Sequence, residues 1–189
     1  MTATTIVVPR PVPEWAYGAL AGSGIVLGWV ASVLVAENVT TDERTHTIAL
    51  FVHLASLVAG FGAVMVIDWT GLLWVSGRRT FLDVTRTADA LHLLIWLGLA
   101  GLTFSGILLQ PDACVTLTRI KLALVLVIAV NGLYAHTLQP QLAALGEQSP
   151  LAVLSQRSSA ALMHRAGVAA LVSQAAWWGS MAIGFHNHG

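Results

Sequence analysis

Seven histidines, Asp68 and Lys121 are the residues of this chain with the most chemistry to offer, because they fall within or at the ends of long apolar runs. An ionisable group near the middle of a bilayer costs roughly 2.5–3.5 kcal/mol on insertion scales, so one that is kept there marks a functional site by default. His53 and His92 lie deepest in apolar sequence, while His46, His136, His164, His186 and His188 stand nearer the ends of such runs. Two imidazoles projecting from facing helices supply the axial nitrogens that a b-type haem iron takes, provided the macrocycle finds an apolar slot. Gly60 and Gly62 follow His53, and Gly98 and Gly101 follow His92, so these glycines are expected to give the macrocycle clearance. The same residue types suit a transition metal: Asp68, His92, His136 and His164 make a nitrogen and oxygen donor set for zinc, copper or iron.

The elements that must position these groups are membrane helices. Hydrophobic residues make up 56% of the 189-residue chain and charged ones 10%, and mean hydropathy is +0.76. A typical soluble domain is about 25% charged, so the chain reads as an integral protein of the cell membrane, with the lipid bilayer as its first partner. Nine basic residues balance nine acidic ones, which leaves no electrostatic footprint for nucleic acid. The single Cys114 excludes an internal disulfide and a cysteine-based metal cage. No nucleophile motif, phosphate loop or paired-carboxylate constellation is present on which to build a hydrolase. The opening residues hold one Arg and X-Pro steps without a compact apolar core, and read as an extended lead-in rather than a signal peptide.

A span needs about 20 mostly apolar residues. Five segments qualify, at 15–36, 47–76, 88–109, 119–136 and 160–185, with 137–159 as a partly helical interfacial connection. The expected fold is all-α, a single membrane domain in which spans two to five form an antiparallel four-helix bundle and span one packs outside. Gly18, Gly22, Gly24 and Gly28 give span one two GxxxG spacings, which let another helix come close, either inside the bundle or as a partner subunit. Span two carries both His53 and Asp68, about 22 Å apart along the helix, so they cannot hold one small ion. At some 46 Å it exceeds the roughly 30 Å hydrocarbon core and must tilt, kink at its glycines or emerge on one side. We read it as emerging beyond Asp68, which makes His53 its deep group.

Basic residues in short loops set orientation. Arg78, Arg79, Arg86, Arg157 and Arg165 share one side with Arg10, which places the N-terminus in the cytoplasm and the C-terminus outside. The histidines then form two layers. His92 can face His164 or His136 in the cytoplasmic layer, near the level of Asp68, and His53 can face His186 in the outer one. Histidines at the interface also need no role there. Trp69, Trp74, Trp177 and Trp178 read as interfacial anchors.

The run Arg119-Ile-Lys-Leu-Ala-Leu-Val-Leu, with His136 fifteen residues after Lys121, resembles the lysine-bearing helix and downstream histidine of the small haem-binding bacterial protoporphyrinogen IX oxidases. His53 on a glycine-containing helix ending in Arg78-Arg79 is similar in outline to that family's first histidine helix, and also to the histidine-bearing helices of copper-resistance membrane proteins of the D type. The first resemblance implies a membrane oxidoreductase with His53 and Lys121 as a functional pair. The reading that follows is haem b binding and electron transfer, to or from a quinone or a redox protein. Transition-metal handling and an accessory role in a larger membrane complex are the alternatives.

Overall fold

The computed structural model describes residues 14–112, 114–146 and 150–186. They form helices α1 (Glu14–Ala36), α2 (Glu43–Val75), α3 (Phe81–Leu108), α4 (Thr116–Ala143), α5 (Pro150–Ser155) and α6 (Arg157–His186), with no strand among the described residues. All but the six-residue α5 are long and apolar enough to cross a membrane, so the five expected spans are present. The helices run past the apolar limits, with α3 starting at Phe81 and α4 continuing to Ala143. Apolar sequence shows where lipid begins, whereas a helix ends where its backbone bonds run out.

Caps decide those ends. Thr80 and Asp83 form a capping box at the start of α3, each side chain accepting from the other's backbone N–H. At the end of α2, Gly77 adopts φ +72° while Arg78 N–H donates to Leu73 O and Gly77 N–H to Trp74 O. This is a Schellman ending, which favours glycine at that position. Only residues 76–80 separate α2 from α3, so the two helices return side by side.

Asp42 caps α2 by accepting from Thr45 N–H. Its hydrogen bonds to the Thr45 side chain and backbone hold its carboxyl below the ordinary 3.8. A carboxyl depressed by folding stabilises above its unfolded value and loses that contribution as pH falls through the folded one. Asp42→Ala is therefore expected to lower the melting temperature at neutral pH and to converge with the parent well below pH 3.8, a comparison that melts across an acid pH series make directly.

The helices of the bundle meet through small residues. A Cβ added to Gly98 would stand 2.6 Å from Gly60 Cα and 2.9 Å from Ser56 O, and one added to Gly101 would stand 2.2 Å from Ser56 Oγ. The backbones of α2 and α3 therefore cross in contact, as small residues permit in a membrane. The clearance expected at Gly60, Gly98 and Gly101 is consumed by this crossing, since each glycine faces the opposing helix. Gly62 alone of the four has nothing within 4 Å of an added Cβ.

Trp177 of α6 fills the space beside the crossing. It is 1% exposed, its ring centroid is 5.6 Å from that of Phe61, and its Cη2 lies 3.5 Å from an added Cβ on Gly60. Val64, Leu99, Leu102, Ile128, Ala129 and Ala176 complete this cluster, drawing on α2, α3, α4 and α6 as the expected four-helix bundle does. A second cluster joins Trp74 and Phe81, at 4.9 Å between centroids, to Leu138, Leu145, Val153 and Leu162. It ties α5 and the end of α4 to the bundle. Trp74 and Trp177 are thus core residues rather than interfacial anchors, whereas Trp69 and Trp178 are exposed.

Outside the bundle lies α1, against α3 and α4. Trp29 Nε1 donates to Leu122 O at 2.9 Å and Ile25 touches the core cluster. Of its glycines only Gly22 approaches a neighbour, with Leu133 Cδ2 at 3.8 Å from an added Cβ, and nothing lies within 4 Å at Gly18, Gly24 or Gly28. Trp29 and Ile25, more than the glycine series, seat this helix.

Candidate functional site

His53 is held from α3. Its Nδ1 lies 2.9 Å from the Oγ of Ser105, a residue 2% exposed. The Ser105 hydroxyl donates to Gly101 O, so it accepts from the imidazole and Nδ1 carries the proton. In that tautomer Nε2 is the acceptor nitrogen of the ring. Gly106 adjoins the ring, an added Cβ there standing 3.8 Å from His53 Cε1. An outer partner that fixes tautomer and ring orientation is the usual support of a metal-ligating histidine. Ser105 was not singled out by the sequence reading. A serine beside Gly106 in an apolar helix was the available signal.

At the other end of α3, His92 stacks on His136 of α4, with ring centroids 4.6 Å apart and planes inclined by 27°. Trp96 stands edge-on to His92 at 6.2 Å. His136 Nδ1 is 3.2 Å from Gln139 Oε1, and Gln139 Nε2 donates to Asp89 Oδ1. The structure thus brings together the expected His92 and His136. Rings in face contact leave no room for a macrocycle between them, and a shared haem would require them to part.

The remaining proposed ligands do not gather. His164 is exposed on α6, where its neighbour Arg165 donates to Tyr134 Oη at 2.9 Å. Asp68 is half-buried and accepts from Gln174 Nε2 at 2.6 Å, and Gln174 Oε1 accepts from Trp178 Nε1 at 3.0 Å. No three His, Cys, Asp or Glu among the described residues come together as a metal-holding group. Of the donor set Asp68, His92, His136 and His164, only His92 and His136 meet.

Removing the amide should expose what it does for Asp68. Gln174→Leu is expected to destabilise the protein by about 1–3 kcal/mol, because a half-buried carboxylate loses its donor. Adding Asp68→Leu should recover most of the loss. Unfolding of the two singles and the double variant in detergent measures the coupling, and strictly additive losses would show that the bond carries none.

Lys121 is half-buried on α4, its Nζ 3.3 Å from an added Cβ on Gly184 of α6. His186 ends α6 two residues later and is exposed, as is His46 in the first turn of α2. The antiparallel arrangement puts His53, Lys121 and His186 in the same half of the bundle. His188 lies outside the described residues. No protein-family model matches the chain, and comparison with curated proteins and with solved structures gives no match.

Proposed function

We propose that this protein binds haem b within the membrane and transfers electrons, with His53 as an axial ligand. The observation that carries the reading is the His53–Ser105 hydrogen bond, which sets an imidazole with its lone pair on Nε2 at a half-buried position beside Gly106. His186, in the same half of the bundle, is the candidate for the opposing face. Haem held there would supply a one-electron couple. The chain's own part is to orient the imidazole through Ser105, to keep that orientation by the rigid α2/α3 crossing, and to surround the ring with apolar helix. A quinone in the bilayer or a redox protein at its surface would exchange the electron. The proposed orientation, with the N-terminus cytoplasmic, places this half of the bundle toward the outside.

An absorption spectrum of the purified protein tests the proposal. A Soret band with a sharp α-band on reduction is the expected result, and a colourless preparation that takes up no haemin would overturn it.

The stacked His92 and His136 favour a second reading, transition-metal binding at the opposite end. Two neighbouring imidazoles, one of them oriented through Gln139 by Asp89, would supply two nitrogen ligands to a copper or zinc centre completed by solvent. Elemental analysis of protein prepared without chelator would show stoichiometric metal that His136→Ala removes.

A further inference from the structure

The turn between α2 and α3 opens into a cleft of about 330 Å³ that none of the histidines, Asp68 or Lys121 lines. Trp69 and Leu73 of α2, Asp83 and Arg86 of α3, and Arg79 of the turn are among its lining residues. The charges there are unequal. Asp83 is the lone acid of the lining, and its Oδ2 already accepts from both the N–H and the hydroxyl of Thr80 at 2.9 Å. Arg79 and Arg86 attract it electrostatically, yet among the described residues neither guanidinium makes a hydrogen bond or close ion pair. Two arginine forks around one committed carboxylate leave net positive charge and unused donors.

Guanidinium forks match the oxygens of a phosphate. The level of the cleft says which phosphate. It lies where apolar α2 gives way to the polar turn, and Trp69 on its wall is 61% exposed, as an indole at headgroup depth is. Leu73 continues the apolar wall, and exposed Met65 and Val66, one turn back along α2 from Trp69, extend that helix surface toward the hydrocarbon. A free anion would meet only two solvated arginines, whereas a lipid brings its phosphate to this depth and covers the apolar surface with its chains. We infer that this cleft binds the phosphate of an anionic phospholipid headgroup.

Native mass spectrometry of the full chain, titrated in detergent with phosphatidylglycerol or phosphatidylcholine, reads the bound lipid directly. Phosphatidylglycerol should bind preferentially, weakened about fivefold by Arg79→Gln or Arg86→Gln and about 25-fold by both changes together. Arg78→Gln, a change in the same turn outside the cleft lining, should leave binding within twofold, and circular dichroism checks that each variant is helical. Equal losses from all three single variants would overturn the inference, as diffuse surface charge would then explain the binding. So would unchanged binding in the double variant. Thermal stabilisation by inorganic phosphate equal to that by phosphatidylglycerol, with the same arginine dependence, would overturn it in favour of a soluble anion.

Discussion

Gly98→Ala should destabilise the bundle by more than about 3 kcal/mol, beyond the usual 1–3 kcal/mol for overpacking a core. The new methyl would stand 2.6 Å from Gly60 Cα, 2.7 Å from Gly60 N and 2.9 Å from Ser56 O. All three are backbone atoms of α2, so no rotamer change relieves the clash and the helices must separate. Gly101→Ala makes the instructive contrast. Its methyl would meet Ser56 Oγ at 2.2 Å and Ser56 Cβ at 3.0 Å, both side-chain atoms. Ser56→Gly should therefore rescue Gly101→Ala while leaving Gly98→Ala unfolded or strongly weakened. Unfolding in mixed micelles with far-ultraviolet dichroism as readout distinguishes the two, and a Gly98→Ala protein as stable as its parent would show that α2 and α3 do not cross at these glycines.

His53→Ala is expected to abolish the haem spectrum, whereas Ser105→Ala should keep it with affinity reduced by about 10- to 100-fold, the usual cost of losing an outer-shell partner. The two variants separate ligation from orientation. His53→Ala removes the nitrogen that would reach iron, but Ser105→Ala removes only the group that holds Nδ1. His92→Ala is the internal reference for the other layer: a spectrum that survives His53→Ala and disappears with His92→Ala would move the haem to the opposite end of the bundle. Haemin titration of the apoprotein, followed at the Soret band, gives the affinities.

Much of the fold was legible because spans announce themselves by length and apolarity: α1, α4 and α6 each contain one of the five segments read from sequence, and α2 and α3 contain all but the last residue of theirs. Which face of a helix turns inward was not legible. In a soluble protein the buried stripe is the apolar one, but lipid makes the outer face of α2 apolar too, so exposed Phe51 and Val58 look no different from buried Ala63 and Val64. Glycines were visible as small residues without showing what would fill their space. Hence Gly60 and Gly98 read as cofactor clearance when each receives the other's backbone. At the candidate sites, the common level of the histidines left His92 two partners, His136 or His164, and only the first meets it. Ser105 against His53 and Gln174 against Asp68 were missed, because a side-chain hydrogen bond between distant helices depends on register and rotation that apolar runs do not encode.

The tight crossing of α2 and α3 also bears on the order of assembly. Gly60 and Gly98 are joined by a short stretch of chain, whereas Trp177, which packs beside them, comes much later. A ribosome feeding this sequence into a membrane from its N-terminus would complete both partners of the crossing before α4 and α6 exist. Contacts between near neighbours in sequence close with the smallest loss of chain entropy. The α2–α3 hairpin can therefore enter the bilayer as a preformed unit, whose surface beside Gly60 receives the Trp177 indole when the last helix arrives.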